Sequence, residues 1–302
     1  MIIVEVIGDL NTMSEYSDII RKTFSMGDAE RDKNNVIPSD IIRFDNIRYD
    51  DKDEHWNLLD VYRPKNESGK LPVILSIHGG GWVYGDKDVY QWYCMNLAQR
   101  GFAVVNYSYR LSPEYQYPAS FEDTTTVCNW IINNQDKYGF DINRIYGVGD
   151  SAGGHMLSLF AAALTNIDYK VPYKLPKDFQ FKAIALNCGV YLMEKGLIGD
   201  TEKLMEDFLP NKGTDSEYKE ISSIYHINKN YPPCFVMTCN DDFLKDQPSK
   251  LIPILEKNDI PFIYRRYGDK NNKLGHVFHC NIQLNDAKLC NDEECAFFKE
   301  FQ

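Results

Sequence analysis

The chain has 302 residues, is 43% hydrophobic and 25% charged, and carries a formal net charge of −11. Such a balance excludes nucleic acid and anionic membrane surfaces as main partners, because both need a basic footprint. No run reaches the roughly 18 apolar residues of a membrane span, and "MIIVEVIGDLNTM" lacks the basic start and long apolar core of a secretory signal.

In chain order, Asp9 to Met26 carries Met13, Tyr16, Ile20 and Phe24 at helical spacing, which predicts an amphipathic helix. Short β-like runs follow at 46–50 and 58–64. From there strand and helix alternate. The strands are "LPVILSIH", "FAVVNYSYR", "RIYGVGD", "FKAIALNCG", "PPCFVMTCN" and "PFIYRRYG". The helices are "VYQWYCMNLAQRG", "ASFEDTTTVCNWIINNQ", "SAGGHMLSLFAAALTN", "SKLIPILEKN" and "AKLCNDEECAFFKEF". A polar stretch with scattered apolar residues interrupts the series from Tyr191 to Tyr231. Repeated βα units with near-continuous apolar strands predict an α/β fold, a mostly parallel sheet with helices on both faces. Ligands on such sheets bind beyond the carboxyl ends of the strands.

The eight cysteines are scattered and form no CxxC pair. A zinc site is therefore not expected, and buried reduced thiols in a cytoplasmic protein are.

The strongest local signal is Gly149-Asp150-Ser151-Ala152-Gly153, which fits G-x-S-x-G between an apolar strand and an Ala/Leu-rich helix. A sharp strand-to-helix turn of this kind exposes the serine hydroxyl at the top of the sheet. A serine hydroxyl needs a base, and the base an orienting acid, here expected later in the chain in the order Ser, acid, His. The loop after "CFVMTC" offers Asp241, Asp242 and Asp246, with Asp242 favoured. The segment after "PFIYRRYG" offers His276, favoured, and His279. Carbonyl attack also needs preorganised donors for an oxyanion. The backbone N–H groups of Gly80, Gly81 and Ala152 are assigned to that task. The first two lie in "SIHGGGWVYGD", directly after an early strand.

These motifs together resemble the hormone-sensitive-lipase-like esterases of the α/β-hydrolase fold. "HGGGW" (78–82) matches the family's oxyanion loop and "GDSAGG" (149–154) its nucleophile elbow. "YRLSPEYQYPASFED" (109–123) and "DFLKD" (242–246) resemble two further family segments, and the second selects Asp242 over Asp241. The family's His-Gly-Phe stands here as His276-Val277-Phe278. The resemblance covers roughly residue 60 to the C-terminus. It implies a single α/β-hydrolase domain over 1–302, with cap elements at 1–40 and 191–231. It places Arg110 and Glu114 in a buried structural segment, with Asp150, His155 and His78 in supporting roles.

The function implied is a serine carboxylesterase acting on short acyl esters, acetyl to about butyryl, through an acyl-enzyme. The partner is a small-molecule ester, with no metal or organic cofactor. A homo-oligomer is compatible with the sequence. Trp82, Tyr84 and Phe278, and beside them Tyr115, Tyr117 and Tyr191, are candidates to line the substrate pocket. The nearest alternative is an amide hydrolase on the same fold. A remoter one is a non-catalytic small-molecule binder, which the retained serine, acid and histidine argue against.

Overall fold

In the strand Leu71–Ile77, the side chains of Val73, Leu75 and Ile77 enter one hydrophobic core and Ile74 enters another. Successive strand residues point to opposite faces, so an unbroken apolar run feeds two cores at once. A computed structural model of the chain describes residues 15–197, 199 and 201–302. Residues 1–14, including Met13 and the start of the expected N-terminal helix and cap, lie outside the described residues, as do Ile198 and Asp200.

Eight strands form one sheet: β1 (Ile41–Arg48), β2 (Leu58–Pro64), β3 (Leu71–Ile77), β4 (Ala103–Tyr107), β5 (Phe140–Asp150), β6 (Ala183–Asn187), β7 (Cys234–Cys239) and β8 (Phe262–Tyr267). Their order is β1-β2-β4-β3-β5-β6-β7-β8. β1 and β2 join antiparallel, and every pair from β4 to β8 is parallel. Helices α3 (Ala119–Asn133), α5 (Ala152–Thr165) and α8 (Pro248–Lys257) pack on the face of Val73 and Leu75. Helices α2 (Lys87–Ala98) and α9 (Asn285–Glu300) pack on the face of Ile74. This is the expected α/β architecture. The strand expected at 46–50 begins earlier, at Ile41, and is irregular between Phe44 and Ile47. There Asn46 has φ 56° and donates its N–H to Asp60.

The remaining helices lie over the carboxyl ends of the strands or at the edges: α1 (Glu15–Asp32), the short α4 (Gln135–Tyr138), α6 (Thr201–Phe208) and α7 (Asp215–Ile221). α7 begins with a reciprocal capping box between Thr214 and Glu217, a local signal present in "TDSE". α1 touches α6, and Ser17 donates to the Asp207 carboxylate. Arg21 of α1 donates to the carbonyls of Val83 and Ser112 at 2.7 and 2.9 Å and forms a forked pair with Glu114. Glu114, expected in a buried segment, is exposed, because its partner belongs to this overlying helix. Arg110 does serve structure, bonding to Asp123, Glu122 and the Ala119 carbonyl. The eight cysteines are free and buried. Among the described residues no helix is long and apolar enough to cross a membrane.

Leu75 is fully buried at the middle of the sheet. Leu75→Ala should cost about 2–5 kcal/mol of stability, read from urea unfolding, since the rigid strands on either side cannot close the cavity.

Candidate active site

The turn between β5 and α5 holds Ser151 at φ 51° and ψ −119°, a conformation that non-glycine residues adopt only under constraint. Its N–H donates to the Asn187 carbonyl at the end of β6, at 3.0 Å. The chain then turns so tightly that a Cβ on Gly153 would sit 2.0 Å from the Ile77 carbonyl oxygen. Only glycine permits that approach of α5 to β3.

The loops after β7 and β8 bring two partners to this serine. Ser151 Oγ lies 2.9 Å from His276 Nε2, and His276 Nδ1 lies 2.7 Å from Asp242 Oδ1. Asp242 also accepts from the Leu244 N–H at 2.8 Å and from Thr238 Oγ1 at 2.7 Å. Burial raises the affinity of the Asp242 carboxyl for a proton. The hydrogen bond and charge of His276, with those two donors, outweigh burial and hold its pKa below the usual carboxylate range.

The other candidates are elsewhere. Asp241 and Asp246 are exposed, and Asp241 bridges through its backbone to Gly275. His279 is fully buried against the ring of Tyr93, with Nε2 3.6 Å from Cys280 Sγ. Burial drops its pKa to about 3.

Of the three glycines after β3, Gly80 has φ 117°, and a Cβ there would meet the Tyr84 carbonyl oxygen at 2.0 Å. The N–H groups of Gly80, Gly81 and Ala152 have no acceptor among the described residues. The loop is tied to the elbow through Tyr90: the Gly79 N–H donates to Tyr90 Oη, which donates to Asp150 Oδ2 at 2.7 Å. Burial pushes the Asp150 carboxyl up to about 6. His78 stacks on Tyr109 at 4.0 Å and contacts the Gly79 carbonyl, so it shapes its own loop. His155 is buried in α5 and accepts from Trp82 Nε1 at 3.2 Å.

Two connected lobes open at Ser151. The larger, about 460 Å³, is apolar and runs beneath α1 and α6 between Ile20, Trp82, Val190, Leu204 and Phe243. The smaller, about 200 Å³, is lined by Phe24, Asp28, Arg31, Tyr84, His276 and Val277. Trp82 lines the larger lobe and Tyr84 the smaller. Phe278 lines neither: its ring packs on Tyr267 at 5.3 Å, inside the core of the α2/α9 face. The reason is local. Val277 takes φ 53°, the chain reverses into a 3-10 turn over Phe278–Cys280, and Val277 reaches the lobe in place of Phe278. Tyr115 instead donates to Asp53, while Tyr117 and Tyr191 are buried in the core. The α1 residues escaped sequence reading. Yet Asp28 continues the i, i+4 stripe of Tyr16, Ile20 and Phe24, a signal that could have found it.

A buried carboxyl also stands behind the elbow. Glu294 of α9 accepts from Tyr93 Oη at 2.8 Å and from Asn187 Nδ2 at 2.6 Å. Two buried groups, Asp150/His279/Cys280 and Cys188/Cys239/Asp242, bring three possible metal ligands within 4.8 Å. Their carboxylates are already engaged by Tyr90 and His276, and burial holds the Cys188 and Cys280 thiols protonated.

The family model BD-FAE matches residues 59–252. Versiconal hemiacetal acetate esterase of Dothistroma septosporum is 29% identical over 68% of this chain and 67% of its own. Ethyl acetate hydrolase of Pseudomonas putida is 34% identical over 37% of this chain, which spans only 36% of that relative. Several further relatives are spanned by half or less. Among solved structures, esterase B from Lactobacillus rhamnosis, with a C4-C4 SN3 tributyrin phosphonate, superposes with a TM-score of 0.87 at 23% identity, over 97% of this chain and 96% of that one. That likeness is one of fold.

Two outcomes follow from this geometry. His276→Ala should lower ester kcat by on the order of 10⁶-fold, as loss of a triad histidine does elsewhere. His279→Ala should retain activity in whatever fraction stays folded, measured by active-site titration. Glu294 makes a second prediction. Burial moves its carboxyl from 4.5 up to about 7. Between those values the folded state keeps a proton that the unfolded state has released, so this group weakens the fold as pH rises. Urea unfolding of wild type and Glu294→Gln should diverge between pH 4.5 and about 7, the variant gaining relative stability, with a constant difference above.

Proposed function

The chain belongs to the BD-FAE family and shares the α/β-hydrolase fold of esterases, and on that premise we propose that it is a serine carboxylesterase of short acyl esters. The observation that carries this reading is the relay Ser151–His276–Asp242, with 2.9 and 2.7 Å links, opening into a cavity.

Ser151 Oγ attacks the ester carbonyl while His276 Nε2 accepts its proton. Asp242, kept ionised by its donors, fixes the tautomer of the imidazole and stabilises the imidazolium. The carbonyl oxygen becomes an oxyanion facing the N–H groups of Gly80, Gly81 and Ala152, which no acceptor among the described residues competes for. The alcohol leaves with the proton of His276. Water, activated by the same base, then releases the acid and restores Ser151.

Three observations support a short acyl group. The larger lobe, at about 460 Å³, lies toward the small end of ligand pockets. The α6 wall is a helix of only eight residues. Two relatives act, by their names, on acetate esters, and a third, by its name, removes an acetyl group from an arylacetamide.

A 4-nitrophenyl ester series should show kcat/KM highest at acetyl to butyryl and falling by octanoyl. Ser151→Ala should abolish both turnover and labelling by a fluorophosphonate. A preference for octanoyl esters overturns the chain-length reading, and faster cleavage of a matched anilide than of the ester favours an amidase.

A further inference from the structure

The two lobes at Ser151 differ in chemistry, and the relay decides which takes which half of an ester. When the tetrahedral intermediate collapses, the bond from carbonyl carbon to alcohol oxygen breaks. The electron pair stays on that oxygen, and the proton on His276 Nε2 passes to it. The leaving oxygen must therefore come within about 2.6–3.2 Å of Nε2. His276 and Val277 line the smaller lobe. The larger lobe is bounded by Gly81, Ala152 and Leu204, and by Phe243, whose ring packs on the imidazole at 4.4 Å.

The smaller lobe is closed by a polar cluster from α1. Asp28 accepts from Arg31 Nη1 at 2.6 Å through one oxygen and from Tyr84 Oη at 2.8 Å through the other. Each carboxylate oxygen has two lone-pair directions, so both can accept once more. Arg31 is held by Asp28, Asp32 and the Val89 carbonyl. Asp28 and Arg31 line the lobe, and with Asp32 behind them two carboxylates against one guanidinium leave this cluster a net charge of −1. Asp150 lines the same lobe and adds negative charge when ionised.

Resting on the esterase reading above, we propose that this lobe is the leaving-group subsite, and that Asp28, held by Tyr84 and Arg31, selects a small, hydroxyl-bearing, non-anionic alcohol. The apolar lobe then receives the acyl chain. An alcohol hydroxyl donating to Asp28 gains a charge-assisted hydrogen bond, whereas an anionic alcohol meets a like charge, and Arg31, the arginine lining the lobe among the described residues, is already paired with Asp28 and Asp32.

The test compares glycerol 1-acetate with n-propyl acetate, which differ in hydroxyls alone, and adds O-acetylglycolate as an anionic alcohol. Glycerol 1-butyrate varies the acyl side. Wild type should favour the glyceryl over the propyl ester about tenfold in kcat/KM, the worth of one charge-assisted bond. Asp28→Leu should reduce that ratio below about threefold, chiefly through KM, by removing the acceptor. The isosteric Asp28→Asn should raise the O-acetylglycolate to propyl acetate ratio by at least about threefold, by removing the like charge. Tyr84→Phe, which frees Asp28 of one anchor, should weaken the glyceryl preference in the same direction. The acetate to butyrate ratio should hold in all three.

If Asp28→Leu shifts the acyl ratio and leaves the alcohol ratio intact, the lobe is the acyl side and the proposal fails. Unchanged ratios in all three variants reduce Asp28 to an anchor of α1 and overturn it too. A wild type that hydrolyses none of these esters overturns the esterase reading itself, and the subsite with it.

Discussion

The site depends on the backbone of one residue. Ser151 is held at φ 51°, where a non-glycine side chain costs about 1–3 kcal/mol. Surrounding structure enforces it: the Ser151 N–H is bound to Asn187, its carbonyl accepts from His155, and Gly153 lies flush against the end of β3. That close approach also explains where the glycine loop sits. The chain leaves β3 at Ile77, the residue that Gly153 abuts, so the N–H groups of Gly80 and Gly81 emerge beside the N-terminus of α5. Bring α5 away from β3 and the nucleophile and these donors separate together.

Electrostatics around the elbow divide into two regimes. Asp150 and Glu294 are buried carboxyls with neutral donors only, so burial dominates and their pKa values rise to about 6 and about 7. Both act through geometry: Asp150 through Tyr90 to Gly79, and Glu294 through Asn187 to the backbone that holds Ser151. Asp242 is equally hidden yet stays ionised, because an imidazole, an N–H and a hydroxyl all donate to it. A negative charge is therefore kept at the one place where the proposed reaction creates a positive one.

Much of this was legible in the sequence, and the limits have physical causes. Strands buried on both faces leave apolar runs, which is why β3 to β7 could be read directly. The order of serine, acid and histidine loops follows from the parallel sheet, and the structure brings Ser151, Asp242 and His276 within hydrogen-bonding distance. Phe278 was misplaced because register alone does not report a backbone reversal, and Val277 at φ 53° supplies one where a glycine would be expected. Within 191–231, expected as a cap element, α6 and α7 went unread for another reason. Both are short and mostly polar, and Phe208 of α6 gains meaning only once packed on Trp82 and Tyr117.

The cap also explains why an acidic chain places arginines where it does. Arg21 and Arg31 lie on α1, ten residues apart, and each binds backbone carbonyls as well as carboxylates. Arg21 grips Val83, and Tyr84, the next residue, donates to Asp28 on the same helix. Both positions belong to the loop that begins with the three glycines, and both of their N–H groups return to the Gly80 carbonyl. The helix that lines both lobes is thus bonded to the segment proposed to bind the oxyanion. A displacement of α1 large enough to admit a bulkier ester must pull on that segment. On the proposed oxyanion role of Gly80 and Gly81, pocket size and transition-state stabilisation are coupled properties, because one loop carries both.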